Sequence, residues 1–578
     1  MSVMVREEVS RSRHAAPGVR RRPRRSRLVA SLLVVSLVSW LIALPGIPHA
    51  SISQFGLLAT ASPLLLISLI LAAAAFAVSV RAANFLAASA SLVLIAVEQR
   101  LPTAVSTSVP LYSWTYKHLG VVDYIRQHGH LAHGVDVYHG WPGLFAFTAW
   151  FSDLTGVSPL TFAHWFTPVV HGLLLWLIYG LGRAWQLEPM AALVASFLFE
   201  TLNWVGQDYY SPQATAIVLS AGFLMIVGQS RDRAAGVPVA LTVFGALVMT
   251  HQLTPFWLIL ACLVLTLLRR LHPRWLVVAM MVMAGVFVAF NYDSISQFSL
   301  ISLHPVQNAK SNVPTVGVYG QRVTSLIVRA LSVTLWLSAL AAAAIRWRRR
   351  AGFIEPAVLA FSSFMLLGGQ SYGGEAIFRV FLYSLFGCSI LVAPAVVSLL
   401  RTKRTVAVPA AALVMAAVVA SAQGFFGGWF ANHMSLAQVT EAERLLNTVP
   451  IPGFLTVAAP VWPERSTARY VEFVESTAPG TQAYDYPMIY EAKLVGNDFD
   501  SASSYHKLIG IASGRTAPTY LIITNQMKIY DWYFGILPLH ALDHLEARLR
   551  KDTVHWSVYK STSEYVIFKS TPALIGAK

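Results

Sequence analysis

Residues 11–48 read RSRHAAPGVRRRPRRSRLVASLLVVSLVSWLIALPGIP, a strongly basic stretch running straight into an apolar one. Within residues 1–27 nine arginines face only Glu7 and Glu8. The apolar run that begins at Leu28 is long enough to cross a hydrocarbon core of about 30 Å. In outline this resembles a signal peptide, but no small-residue cleavage site follows Pro45, so the segment reads as an uncleaved first span with its basic end in the cytoplasm. Of the 578 residues, 56% are hydrophobic and 12% charged, so further apolar runs of about twenty residues are spans rather than core helices. A polytopic protein of the cell membrane is expected.

Such runs fall at 28–48, 56–80, 84–104, 160–182, 190–206, 213–229, 236–250, 254–268, 273–290, 325–345, 354–370, 376–400 and 405–425, about thirteen spans. With the start inside, alternate loops should be basic. The inside loops carry Arg81, Arg183, Arg231, Arg233, Arg269, Arg270, Arg274, a cluster at Arg346, Arg348, Arg349 and Arg350, and then Arg401, Lys403 and Arg404. The net charge of +16 is therefore read as topology, with no nucleic-acid partner, because residues 431–578 hold 13 basic against 14 acidic side chains. The outside loops differ in kind: DYIRQHGHLAHGVDVYHGWPG, GQDYYSPQ, MTHQLTP and NYDSISQ collect acids, histidines and amides.

The fold class is thus mainly α, a helical membrane bundle over 28–425 between a cytoplasmic tail (1–27) and a small extracytoplasmic α/β domain (426–578). An external loop spans 105–159, with an amphipathic stretch near 116–128. Its aromatic segment WPGLFAFTAWFSDLTG is short for a span and suits the interface or a re-entrant turn. After residue 430, FLTVAAP, TYLIITN, WSVYKS and EYVIFK read as strands, while RSTARYVEFVES and PLHALDHLEARL read as helices, with Leu539, Leu542, Leu545 and Leu549 on one face. Cys262 and Cys388 fall inside spans and read as small apolar residues, not a disulfide.

Chemistry gathers in a few places. In SFLFETLNWVGQDYYSPQ, Glu200, Asn203 and Gln207 are spaced to line one helical face leading to Asp208, Tyr209 and Tyr210 at its mouth. Glu200 and Asn203 read equally well as an interhelical clamp. His164 and His171 read as satisfied structural histidines. His251 and Gln252 sit where a proline restarts a helix and suit ligand contact or turn capping. Arg322 and Arg329, seven apart, could hold a phosphate or snorkel to head groups. Glu375 and Arg379, one turn apart among Gly368, Gly369, Gly373 and Gly374, either orient the guanidinium toward an anion or form a structural pair. Asp123, with Asp136 behind it, is the best candidate for an external carboxylate that activates an acceptor hydroxyl. The chain has no GxxxxGK[ST] loop, no HExxH and no clustered Cys/His metal framework, which takes most of the weight from ATP-driven pumping and zinc hydrolysis.

The blocks HLGVVDYIRQHGH, YHGWPGLFAF, NWVGQDYYSPQA, HQLTPF and GGEAIFRVFLYSL, between about 115 and 385, resemble large actinobacterial membrane proteins grouped with the GT-C class of glycosyltransferases. The resemblance implies many spans, an active site facing away from the cytoplasm and a polyprenyl-phosphate-linked sugar donor. It makes Asp123, and less directly Asp136, the general base, and turns Arg322 or Arg379 toward the lipid phosphate. The WWDYG motif of oligosaccharyltransferase catalytic subunits is missing, and DWYFG at 531–535 is an echo without catalytic weight. The expected activity is sugar transfer to a cell-envelope glycan or lipid acceptor, with membrane lipids as further partners and a divalent cation left open. The alternatives are a transporter or flippase of envelope lipid or polysaccharide, and an envelope scaffold subunit.

Overall fold

The computed structural model describes residues 23–230, 236–296, 317–368, 375–477 and 486–574. Most of the basic tail, Arg231, Arg233, Gly369, Gly373 and Gly374 lie outside the described residues.

The first part of the chain is helical: α1 (Pro23–Ala43), α2 (Pro63–Arg81), α3 (Phe85–Arg100), α4 (Trp114–His128), α5 (Gly143–Thr155), α6 (Phe166–Ala184), α7 (Pro189–Leu202), α8 (Pro212–Gln229), α9 (Val237–Thr250), α10 (Thr254–Leu267), α11 (Trp275–Phe290), α12 (Tyr319–Arg348), α13 (Ile354–Phe361), α14 (Ala376–Arg401) and α15 (Arg404–Gly427). Each apolar run of the sequence contains a helix. Among the described residues six stretches are long and apolar enough to cross a membrane, namely Ser26–His49, Pro63–Arg81, Pro212–Gln229, Tyr319–Arg348, Ala376–Arg401 and Arg404–Asn432; α7, α9, α10, α11 and Ile354–Gly368 are apolar but shorter. Their outward residues are greasy: Trp176, Leu413, Phe290 and Leu86 are exposed by 64–87%. In water such a surface would be an association liability, whereas lipid solvates it. The chain is a membrane protein.

Several helices stop where the sequence pattern runs on. The run at 160–182 is broken at Trp165, and α13 tightens into a 3-10 turn over Ser362–Gly368. The run at 190–206 ends at Leu202, with Asn203 leaving the helical region at φ −75°, ψ 85°. The expected single face of Glu200, Asn203 and Gln207 therefore does not exist. The cause is Arg100, which donates from Nη2 to the carbonyls of Glu200 (3.0 Å) and Asn203 (2.8 Å), satisfying the helix end that a further turn would otherwise cover. Within the bundle, Gly387 on α14 lets the backbone of α13 at Pro356 and Ala360 approach a space that a Cβ would fill.

The remainder folds as α16 (Leu436–Thr448), β1 (Phe454–Val457), α17 (Tyr470–Thr477), α18 (Ala502–Ser513), β2 (Thr519–Thr524), α19 (Asn525–Phe534), α20 (Ala541–Lys551), β3 (Trp556–Ser561) and β4 (Tyr565–Ser570). The four expected strands form one sheet in the order β1-β2-β4-β3. β1 is parallel to β2 and the other pairings are antiparallel. Leu542, Leu545 and Leu549 are buried, but Leu539 is 61% exposed because α20 starts only after His540, whose φ of 66° turns the chain.

Candidate functional site

The polar residues separate into three layers at the end of the bundle that carries the sheet domain. The deepest is a quartet that the bundle excludes from solvent. Arg100, at the end of α3, pairs through Nε with Glu200 Oε1 (2.9 Å) and through Nη1 with Asp208 Oδ2 (3.2 Å). His171 on α6 bridges the same two acids, with Nδ1 2.6 Å from Glu200 Oε2 and Nε2 2.9 Å from Asp208 Oδ2. Phe425 covers the guanidinium at 4.3 Å. All four side chains are at most 5% exposed. Such a group survives burial only when each member is paired and hydrogen-bonded. Neither Arg100 nor the role of His171 was read from the sequence. The available signal was a Glu-Gln-Arg run at 98–100 inside an apolar span, since an ionisable residue there demands a partner.

The second layer is the turn 203–211, which the quartet holds by Asp208. Gln207 reaches from it to Glu375 Oε2 (Nε2, 3.1 Å), and Arg379 Nη1 donates to the same oxygen at 2.6 Å. The structure thus joins three expected site residues from two distant segments. Arg379 is nearly buried, with a side chain 7% exposed, while that of Glu375 is 48% exposed. Beside them the buried His251 accepts at Nδ1 from the backbone of Leu253 and Thr254, capping its own turn, and Thr254 Oγ1 lies 2.7 Å from the Tyr383 hydroxyl one turn along α14 from Arg379. Gln252 follows it, half-buried. Tyr209 packs between Tyr112 and His118, and Tyr210 is fully buried with its hydroxyl donating to Thr148 Oγ1 (2.8 Å). Burial pushes the His118 imidazole, which contacts the Tyr210 carbonyl at 2.8 Å, down to about 4. Arg322, near the start of α12, is exposed and holds no ion pair among the described residues.

The third layer is a seam between α4, the loop behind it, and residues 464–470 of the sheet domain. Lys117 lies 3.4 Å from Glu464. Gly120 lets the Arg465 carbonyl approach where a Cβ would collide. Asp123 Oδ2 accepts from the Ala468 backbone (2.8 Å) and from Gln127 (2.9 Å), and burial, with Asp123 as the second cause, raises the carboxyl of nearby Glu443. Asp136 is fully engaged: Oδ1 caps the helical turn Val137–Gly140 through the Tyr138 and His139 amides, and Oδ2 accepts from Arg465 Nη1 and the Tyr470 hydroxyl, both at 2.7 Å. His139 Nε2 lies 2.9 Å from that same hydroxyl. The two expected catalytic acids therefore sit in the seam, not beside Glu375 and Arg379 in one hydrogen-bonded cluster.

A carboxylate of a different kind lies in the sheet domain. Asp531 is 2% exposed, and neither of its carboxylate oxygens has a hydrogen-bond partner among the described residues. Burial alone lifts it from 3.8 to about 8. Its helix, α19, lies against the bundle: the Tyr533 carbonyl accepts from Val318 at the start of α12, and Gln526 donates to the Phe430 and Ala431 carbonyls.

No family model matches the chain, and no curated protein matches its sequence. Among solved structures it is similar to ArnT from Cupriavidus metallidurans bound to undecaprenyl phosphate, with 13% identity and a TM-score of 0.46 over 86% of this chain and 99% of that one. It is also similar to the Archaeoglobus fulgidus oligosaccharyltransferase in complex with Zn and sulfate, with 12% identity and a TM-score of 0.47 over 82% of this chain and 72% of that one. The same oligosaccharyltransferase tethered with an acceptor peptide aligns at 12% identity and a TM-score of 0.45, over 88% and 74% of the two chains.

Proposed function

We propose that the protein is a GT-C-type membrane glycosyltransferase that takes a sugar from a polyprenyl-phosphate-linked donor and passes it to a cell-envelope acceptor. In this reading all thirteen apolar runs cross the membrane, the basic start lies in the cytoplasm and the sheet domain lies outside. The observation that carries it is the Gln207–Glu375–Arg379 cluster: a nearly buried guanidinium whose carboxylate partner is half in solvent. An incoming lipid phosphate displaces Glu375 toward water at little cost and takes its place on Arg379, because guanidinium and phosphate oxygens form strong charge-assisted bonds. The acceptor hydroxyl is activated by Asp123, both of whose hydrogen bonds fall on Oδ2, in preference to Asp136, which already serves Arg465, Tyr470 and two amides. Arg322, exposed on the first turns of α12, gives the lipid head group a second cationic contact.

The test is binding and transfer by the purified protein, with polyprenyl phosphate as ligand and glycosylated polyprenyl phosphates as donors, followed by mass spectrometry. Arg379→Ala is expected to lose polyprenyl-phosphate binding, and Asp123→Asn to keep binding but lose transfer. Unchanged lipid affinity in Arg379→Ala, together with lowered thermal stability, would mean a structural ion pair. The quartet supports a second reading, transport of envelope lipid, because Glu, Asp and His buried together within a bundle suit proton movement. Proton uptake coupled to lipid flipping in proteoliposomes, without sugar transfer, would decide for it.

A further inference from the structure

The turn that carries Gln207 has a second property. Asn203, Asp208 and Gln213 are each 5% exposed, and each keeps one side-chain polar atom without a hydrogen-bond partner among the described residues: Asn203 Oδ1, Asp208 Oδ1 and Gln213 Nε2. Buried polar atoms are nearly always satisfied, so three unanswered ones within eleven residues call for a missing partner. Their other contacts fix them in place. Arg100 holds the Asn203 carbonyl and Asp208 Oδ2, His171 holds Asp208 Oδ2 as well, and Gln213 Oε1 accepts from Tyr383 (3.5 Å), one turn from Arg379.

The chemistry of the three atoms selects the missing group. Two are acceptors and one is a donor. A phosphate has only acceptor oxygens and could answer Gln213 alone, whereas hydroxyls, of ordered water or of a polyol, both donate and accept, and a polyol carried on the lipid phosphate brings several of them at once in place of water. We propose that Asn203, Asp208 and Gln213 form the subsite for the sugar of the lipid-linked donor, with its hydroxyls donating to Asn203 Oδ1 and Asp208 Oδ1 and accepting from Gln213 Nε2. This rests on the phosphate reading of Arg379 and adds to it: Gln207 and Arg379 read the head-group anion, and the same turn reads the polyol next to it. Because the atoms are shielded from water, a hydroxyl that reaches them is not competing with solvent, which is how buried polar groups confer selectivity.

The experiment measures binding of two probes to the purified full chain, bare polyprenyl phosphate and a set of polyprenyl-phosphate-linked pentoses and hexoses. Wild type is expected to bind at least one glycosylated lipid about tenfold more tightly than the bare one. Gln213→Met and Asn203→Leu, each checked for folding by thermal unfolding and monodispersity, are expected to erase that margin and leave bare-lipid affinity unchanged. Arg379→Ala lowers both. If one of the two variants fails to fold, the folded one and wild-type binding of lipids carrying deoxy sugars supply the readout, and loss of the margin on removal of a hydroxyl supports the subsite. A margin that persists in folded variants and with deoxy sugars overturns it while leaving the phosphate site standing. Equal affinity of wild type for bare and glycosylated lipid does the same. Failure of wild type to bind either probe overturns both.

Discussion

Replacing Asp531 with asparagine is expected to stabilise the sheet domain, and by an amount that grows with pH. The sign follows from linkage. In the folded protein the carboxyl ionises at about 8 because it is buried without a partner, whereas in the unfolded chain it ionises near 3.8. Between those values the folded state holds a proton that the unfolded state has released, so stability is greatest below pH 4 and falls as pH rises toward 8. Each pH unit removes about 1.4 kcal/mol, and at pH 7 the group costs on the order of 4 kcal/mol. Asparagine has nearly the same shape and no titration. It still buries an unpaired amide, a penalty of about 1–3 kcal/mol that does not vary with pH. Hydrogen exchange of β2 and β4 in the full chain reads the difference: in the wild type, protection relative to Asp531→Asn should fall about tenfold per pH unit from pH 5 to 7.5. Intrinsic exchange chemistry cancels in that ratio. A ratio independent of pH would show that Asp531 is ionised and solvated, and the account of its burial would be wrong.

Other perturbations test other layers. Arg100→Gln leaves Glu200 and Asp208 buried without their cation and is expected to cost about 3–5 kcal/mol, seen as a collapse of the yield of monodisperse protein, while Arg322→Gln, on an exposed side chain, leaves the yield unchanged. Gly120→Ala places a Cβ against the Arg465 carbonyl, which cannot rotate away, so the seam should open and limited proteolysis should cut within 130–135 faster than in wild type. His139 is held below its usual 6.5 chiefly by burial, helped by Arg465, His133 and His130 against the pull of Asp136. Above pH 6.5 it is neutral in both states and has no effect. Below that the unfolded chain gains a proton that the folded seam refuses, so the same proteolysis should accelerate as pH falls from 6.5, and His139→Gln should flatten the response.

The sequence by itself determined the solvent of this protein and the shape of its sheet domain. Long apolar runs punctuated by arginine loops specify membrane helices locally, because a span must satisfy its own backbone and either bury each side chain in protein or present it to lipid. The four strands were likewise legible from short apolar stretches between turns, while the helices were read only in part: α17 starts at Tyr470, five residues after the expected stretch begins, α16, α18 and α19 went unread, and Leu539 is moved off α20 by a residue with positive φ. The pair Glu375 and Arg379 could be read because the two residues are one turn apart. What only the tertiary structure decided is who pairs with whom across the chain. Arg100 meets Glu200 and Asp208 from a hundred residues away and, by taking the carbonyls of α7, ends a helix that periodicity would have continued through Gln207. Asp136 finds Arg465 and Tyr470 more than three hundred residues on. Periodicity records which way a side chain points along its own helix; in a buried, low-dielectric interior the energy lies in the partner, and the partner is chosen by packing.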